Sequence, residues 1–178
     1  SSTDAMTGAL NREATKAQIT EHLNEEETGF LFLLDIDNFK EINDTRGHRI
    51  GDQILIDLVE LLKSEFRQND VIGRLGGDEF MVFMGQTRDP MIAVQKASHI
   101  LKRLAAEKAG TFSVSIGIAY APIDGTTYDQ LYDAADIAMY QAKRQGKNSF
   151  YLRTSPVDSK TAKDLDRPVH REDPPAQH

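Results

Sequence analysis

The sequence contains no cysteine, which excludes disulfides and thiolate metal sites. It has no apolar run near the ~18 residues that a membrane-crossing helix needs, and no charged-then-apolar leader of the secretory kind. Positive charge is not in excess: 21 Lys and Arg against 28 Asp and Glu give a formal net charge of −7. That argues against a nucleic-acid partner, since general nucleic-acid binders carry a basic face. A polyphosphate ligand would therefore need local lysines, arginines or metal ions to offset the charge. Internal repeats and heptad arrays are also missing. What is left is ordinary in bulk: 178 residues, 39% hydrophobic and 28% charged, enough for one domain with a real core. The chain opens on Ser1 and so reads as a piece of a longer protein.

The stretch that organises the rest is Arg74-Leu75-Gly76-Gly77-Asp78-Glu79-Phe80, followed by the apolar run Met81-Val82-Phe83-Met84. Two adjacent glycines reach backbone angles that other residues avoid, so Gly76-Gly77 reads as a tight hairpin turn. Its strands are expected over Val71 to Leu75 and Glu79 to Met84. Asp78 and Glu79 then stand directly after the turn, beside backbone that no Cβ shields. An isolated Gly-Gly turn is compatible with a plain hairpin, so other acidic strand ends matter.

One such end comes earlier. Gly29 opens the run Phe30-Leu31-Phe32-Leu33-Leu34, which closes in Asp35-Ile36-Asp37. A continuous apolar run closed by acids predicts a buried central strand with carboxylates at its C-terminal end. Before it, Asn11 is a candidate N-cap for a helix carrying Ile19 and Leu23 on one face. After it, Asn38 to Asp44 predicts a short helix, and Thr45-Arg46-Gly47-His48 a turn. Ile50 to Arg67 is amphipathic, with Ile54, Leu58, Leu61, Leu62 and Phe66 on one side. Asp52 falls in its expected first turn, where a carboxylate suits the helix dipole whatever else it does.

Asp89-Pro90 predicts a helix start, with Asp as cap and Pro at the first position; the helix runs to about Glu107. Phe112 to Tyr120 alternates as a strand does. A last helix is expected from Tyr128 to Gln145, stopped by Gly146, and Phe150-Tyr151 could add an edge strand. From about Leu152, prolines among charged residues mark a tail or linker with too little apolar surface to fold alone.

Helices alternating with strands around a hairpin predict an α/β (α+β) domain: a mixed, mostly antiparallel sheet of about five strands covered by helices. If the first strand lies beside the hairpin, Asp35 and Asp78–Glu79 converge at one end of the sheet. Carboxylates without Cys or a His cluster favour hard cations, Mg²⁺ or Mn²⁺. A metal pair roughly 4 Å apart activates a hydroxyl and stabilises a leaving phosphate. The residues thus point to metal-assisted phosphoryl or nucleotidyl transfer.

Gly76 to Phe80 resembles the signature of the GGDEF family, the diguanylate cyclases. Asp35 to Asp44 is similar to its D-x-D-x-F-K-x-x-N-D stretch, Gly47-His48 and Gly51-Asp52 to its G-H-x-x-G-D, and Ala142 to Asn148 to its A-K-x-x-G-[RK]-N. Asp4 to Arg12 resembles the opening D-x-L-T-G-L-x-N-R, with Met6 and Ala9 in place of two leucines. The resemblance spans residues 4 to about 151, which bounds a domain of 1–151 and a tail of 152–178.

The resemblance implies a palm-like cyclase fold and condensation of two GTP into cyclic di-GMP with release of pyrophosphate, a reaction of bacterial second-messenger signalling. It implies two Mg²⁺ (or Mn²⁺) per GTP site, with Asp35, Asp78, Glu79 and the Ile36 carbonyl as ligands. Asp78, Glu79 and Lys40 would be catalytic, Glu79 serving a second metal or the 3′-hydroxyl. GTP would be bound by Asn38, Phe39, Lys40, Asn43, His48, Asp52, Gly76, Gly77, Lys143 and Lys147. Of these, Asn43 and Asp52 would read guanine, the lysines would hold phosphates, and the glycine backbone would lie under the base. A structural turn histidine at His48 and solvated lysines are the plain alternatives.

Arg67 and Asp70, at the family's R-x-x-D offset, would form an inhibitory product site, although such a pair at a helix end also arises by chance. Each domain would hold one GTP, so turnover would need a homodimer paired by an upstream sensory or dimerising domain. The expected location is cytoplasmic, with no membrane contact by this domain, while the parent protein could be membrane-anchored. The alternative is a catalytically silent module that binds GTP or cyclic di-GMP; such degenerate relatives usually lose acids or lysines that this chain keeps.

Overall fold

The computed structural model describes residues 1–25 and 27–153. Its elements are α1 (Arg12–Asn24), β1 (Gly29–Ile36), α2 (Phe39–Arg46), α3 (His48–Glu65), β2 (Val71–Gly76), β3 (Glu79–Gly85), α4 (Pro90–Glu107), β4 (Val114–Ala121), α5 (Tyr128–Arg144) and β5 (Ser149–Leu152). Three helices start on side-chain caps that satisfy otherwise orphaned N–H groups. Asn11 accepts from Ala14 N, Asp89 from Met91 N just before Pro90, and Thr127 from Gln130 N. No described helix is long and apolar enough to cross a membrane.

The strands form one sheet in the order β2-β3-β1-β4-β5. β1 is antiparallel to both β3 and β4, β2 is antiparallel to β3, and β5 alone runs parallel to its neighbour. The expected mixed, mostly antiparallel sheet is therefore found, with β1 at its centre. Phe30, Phe32, Leu34 and Ile36 face the core shared with α3 and α4, while Leu31 and Leu33 face α1 and α5. Burying each such side chain contributes about 1.5–3 kcal/mol. The apolar run alone thus anchors β1, and its acidic end is carried to wherever the strand stops.

Four sequence expectations are corrected. The hairpin loop is Gly77-Asp78 rather than Gly76-Gly77, because Gly76 already pairs with Glu79 across a register shift after Arg74. Asp78 therefore sits in the turn itself. Thr45 and Arg46 extend α2, so only Gly47, at φ 91°, separates it from α3. Helix α3 begins at His48, which moves Asp52 out of the first turn and removes the helix-dipole reason for its presence there. Finally, β4 does not alternate in burial: β1 and β5 flank it and helices cover both faces, so nearly the whole strand is buried. The expected tail lies outside the described residues from residue 154 on; β5 itself runs to Leu152, and Arg153 N donates to Ile118 O at 2.8 Å.

Helix α5 lies so close to β4 that a Cβ at Gly117 would sit 2.0 Å from Ala135 O and 2.4 Å from Met139 N. Gly117→Ala should therefore push the helix off the sheet and cost about 1–3 kcal/mol. Urea unfolding should show a lower midpoint at unchanged m-value; an unchanged midpoint would mean that α5 yields freely.

Candidate active site

Antiparallel pairing of β1 with β3 puts Asp35 opposite Glu79. Directly opposed residues project from the same face of a sheet, here the face covered by α1 and α5. The end of β1 is pinned to the hairpin by Ile36 N donating to Asp78 O at 3.2 Å. Asp78, half-buried in the turn, lies beside the Asp35 carboxylate. Burial pushes the Asp78 carboxyl up to about 6, helped by the hydrogen bond and negative charge of Asp35, while Lys143 pulls the other way. The Lys143 ammonium is bonded to Asp35. Burial works against that charge, but the hydrogen bond to Asp35 and the charges of Asp35, Asp78 and Asp37 outweigh it and raise the Lys143 pKa.

A second lysine stands close by. Lys147 Nζ donates to Asn38 Oδ1 at 2.6 Å, and both residues have positive φ, 65° and 55°. These turns are tied together by Asp37, which accepts from Ser113 Oγ and Ser115 Oγ at 2.6 Å each and from Asn148 N at 2.8 Å. Sequence reasoning noted Asp37 but gave it no role. Its place in the D-x-D pattern, one pleat on from Asp35, was the available signal.

The other wall is built by α2 and α3. Asn43 Oδ1 is buried without a hydrogen-bond partner among the described residues. It lies against Gly51, where a Cβ would come within 1.8 Å of it. Buried acceptors are rarely left unpaired, and such a group at a candidate site points to a donor supplied from outside. Phe39 is half-buried against the core. Lys40, His48 and Asp52 are exposed, as are Gly76 and Gly77, where even a Cβ would meet nothing within 4 Å.

The structure thus brings Asp35, Ile36, Asp78, Glu79 and Lys143 to one sheet end, with Asn38 and Lys147 adjoining. Arg67 and Asp70 are elsewhere, at the far end of β3. Arg67 Nη2 donates to Gly85 O at 2.6 Å, and Asp70 Oδ2 accepts from Arg67 N at 2.9 Å. Both line a cavity of about 520 Å³ with Gln18, His22, Glu27 and Gln86. Six residue steps of strand, about 20 Å, separate Glu79 from Gly85.

Two groups escaped sequence reasoning altogether. Arg74 bridges Asp4, at 3.3 Å, and Gly77 O, at 3.0 Å, while Arg12 Nε donates to Leu75 O at 2.8 Å, so the N-terminal turn grips the hairpin. Tyr132 Oη donates to Glu79 Oε1 at 2.7 Å across 53 positions of sequence. Nothing local marks that pair. Burial and the Glu79 carboxylate hold the Tyr132 hydroxyl well above the usual phenol range, so it stays protonated.

Among the described residues no cluster of three or more His, Asp or Glu is gathered around a cation position. Two carboxylates in contact nevertheless suit Mg²⁺, which typically takes one or two carboxylates and completes its shell with water and substrate phosphates.

A family model described as the diguanylate cyclase GGDEF domain matches residues 1–149. This chain belongs to the GGDEF family. The family's domain is a cyclase of the nucleotidyltransferase type. The chain is 37% identical over 140 residues to the bifunctional diguanylate cyclase/cyclic di-GMP phosphodiesterase MucR of Pseudomonas aeruginosa, covering 76% of this chain and 20% of that one. The GGDEF domain of P. aeruginosa TpbB (YfiN), solved alone, superposes with a TM-score of 0.78 at 30% identity, over 91% of this chain and 99% of that one. A microbial GGDEF domain solved with cyclic di-GMP does so with a TM-score of 0.73 at 35% identity, over 85% and 94%. The chain spans between a fifth and about two fifths of the length of the first curated relatives it matches.

The GGDEF hairpin has a pH signature. Between pH 3.8 and about 6 an unfolded Asp78 has lost its proton while the folded one keeps it. Asp78 therefore stabilises the metal-free domain below 3.8, and that contribution is lost as pH rises to about 6. Asp78→Asn should lack this loss and gain on the wild type between pH 4 and 7 in urea unfolding with a chelator. Parallel curves would show that neither burial nor Asp35 raises the Asp78 pKa.

Proposed function

We propose that this domain condenses two GTP into cyclic di-GMP, each of two facing chains holding one GTP. The observation that carries the reading is the meeting of Asp35, Asp78 and Lys143 at the end of the buried central strand, beside a turn open to solvent. That arrangement offers paired carboxylates for divalent cations and a cation for phosphate within one side-chain length.

Mg²⁺ or Mn²⁺, two per site, would be held by Asp35, Asp78, Glu79 and the Ile36 carbonyl, and when bound would neutralise the triphosphate and polarise the reacting oxygens. The chain's own groups do the rest. Lys143 and Lys147 hold phosphates from α5 and the turn after it, and Lys40 reaches them from α2. Asn38 and Phe39 form the bend that brings α2 against the phosphates. Asn43 Oδ1 takes a guanine N–H and so gains the donor it lacks, while Asp52 and His48 border the base from α3. Gly76 and Gly77 leave the base room to lie on bare backbone. Glu79 takes the proton as the 3′-oxygen of one GTP attacks the α-phosphorus of the other; the bond to the β-phosphate oxygen breaks and pyrophosphate leaves. Repeating the step closes the ring. No single chain presents both a nucleophile and a target, so a two-fold pair is required, and an upstream domain would set its population.

Product formed from GTP and Mg²⁺ should rise more steeply than linearly with protein concentration, and Asp78→Ala should abolish it without lowering the melting temperature. GTP bound with no product at any concentration would instead favour a silent nucleotide-binding module.

Arg67 and Asp70 are proposed as a product-binding site. Arg pairs bidentately with a guanine edge or phosphate, and the cavity beside them has room for one. Arg67→Ala should relieve inhibition by added cyclic di-GMP at little change in the KM for GTP; inhibition of unchanged strength would remove the site.

A further inference from the structure

Helix α5 touches both carboxylates that face it. Lys143, near its C-terminal end, is bonded to Asp35, and Tyr132, in its second turn, donates to Glu79 Oε1 at 2.7 Å. Asp35 and Glu79 are directly opposed in the β1–β3 ladder, so the helix addresses the pair from its two ends. The two contacts differ in kind. Lys143 brings a charge that a phosphate could draw away from Asp35 and that a cation could replace there. Tyr132 brings a neutral donor on a short, stiff side chain.

That donor is well fixed. Leu131, Ala135 and Met139 bury one side of α5 against the sheet, and Gly117 lets the helix sit close. The Tyr132 ring is half-buried and packs against Tyr128 with centroids 6.3 Å apart; Lys16 caps the Tyr128 ring at 5.5 Å. The ring alone would satisfy this packing, as a phenylalanine would. The hydroxyl adds a hydrogen bond to an ionised acceptor, which is stronger than a neutral pair. Among the described residues it is the side-chain hydrogen bond that Glu79 makes, and it occupies one oxygen only. The free Glu79 side chain has three rotatable bonds; the tether removes most of that freedom before any ligand arrives.

We propose that Tyr132 is a positioning residue for Glu79: by holding Oε1 it commits Oε2 to the cleft, where the carboxylate meets a divalent cation and the 3′-hydroxyl. The assignment of Glu79 to that work rests on the cyclase reading above. Supporting donors of this type orient metal-binding carboxylates, and their loss typically costs 10–100-fold in metal affinity or activity.

The test is Tyr132→Phe, which keeps the ring and its packing. The expected result is a fall of roughly 10-fold or more in kcat for cyclic di-GMP synthesis at little-changed KM for GTP and unchanged melting temperature. Mn²⁺ binding, followed by electron paramagnetic resonance with a non-hydrolysable GTP analogue present, should weaken by a similar factor. In a Glu79→Gln background, Tyr132→Phe should have no further effect on the Mn²⁺ midpoint, because the two residues act as one unit. An unchanged Mn²⁺ midpoint overturns the proposal, as does a loss of activity matched by a loss of thermal stability. Should the wild type make no cyclic di-GMP, the cyclase reading fails, and the Mn²⁺ cycle alone decides the role of Tyr132.

Discussion

The antiparallel pairing of β1 with β3 is the constraint on which the site depends. Both strands are apolar nearly throughout and buried by helices on both faces. Their register is fixed because a one-residue slip would turn every side chain to the opposite face. Once that register holds, Asp35 must oppose Glu79 and the intervening turn must deliver Asp78 beside them. The acids do not choose to meet. Hydrophobic burial far larger than their mutual repulsion puts them together, and the raised pKa of Asp78 records the cost, first of burial and then of the neighbouring Asp35.

That cost shapes the electrostatics around the sheet end. Asp35, Asp37, Asp78 and Glu79 come to one end of the sheet in a chain already carrying a net charge of −7. Each is met differently. Asp35 holds Lys143, Asp78 is pushed up in pKa by burial and by Asp35, Asp37 collects two hydroxyls and a backbone N–H, and Glu79 takes a tyrosine hydroxyl. Only Asp37 is fully paired within the fold, which suits a structural tie. The others keep lone pairs for the cations proposed above.

Strand β3 also links the two candidate sites. Its first residue stands at the acidic cluster and its last, Gly85, carries the carbonyl that Arg67 binds. Both ends belong to the same rigid, buried element. The N-terminal turn adds a third attachment, since Asp4 and Arg12 hold the hairpin through Arg74 and Leu75 O. The proposed product site and the proposed chemistry thus share one strand.

Much of this was legible from local patterns. Apolar runs, caps and amphipathic spacing located every strand and helix to within a few residues, and the acids closing the first strand announced a site. Boundaries drifted where turn chemistry was subtle: one register shift moved Asp78 into the turn, and a single Gly47 sufficed between α2 and α3. The sequence by itself determined which residues are apolar enough to be buried and which strand ends carry charge, because burial free energy is read from side-chain type and period. Only the tertiary structure decided that Tyr132 holds Glu79, that Asp37 ties its own strand end to the β4 start and to the turn at Asn148, and that Asn43 Oδ1 lies against Gly51 without a partner among the described residues. Those contacts join residues far apart in the chain or on separate elements, and their existence depends on how helices seat on the sheet, a packing outcome that no local pattern encodes.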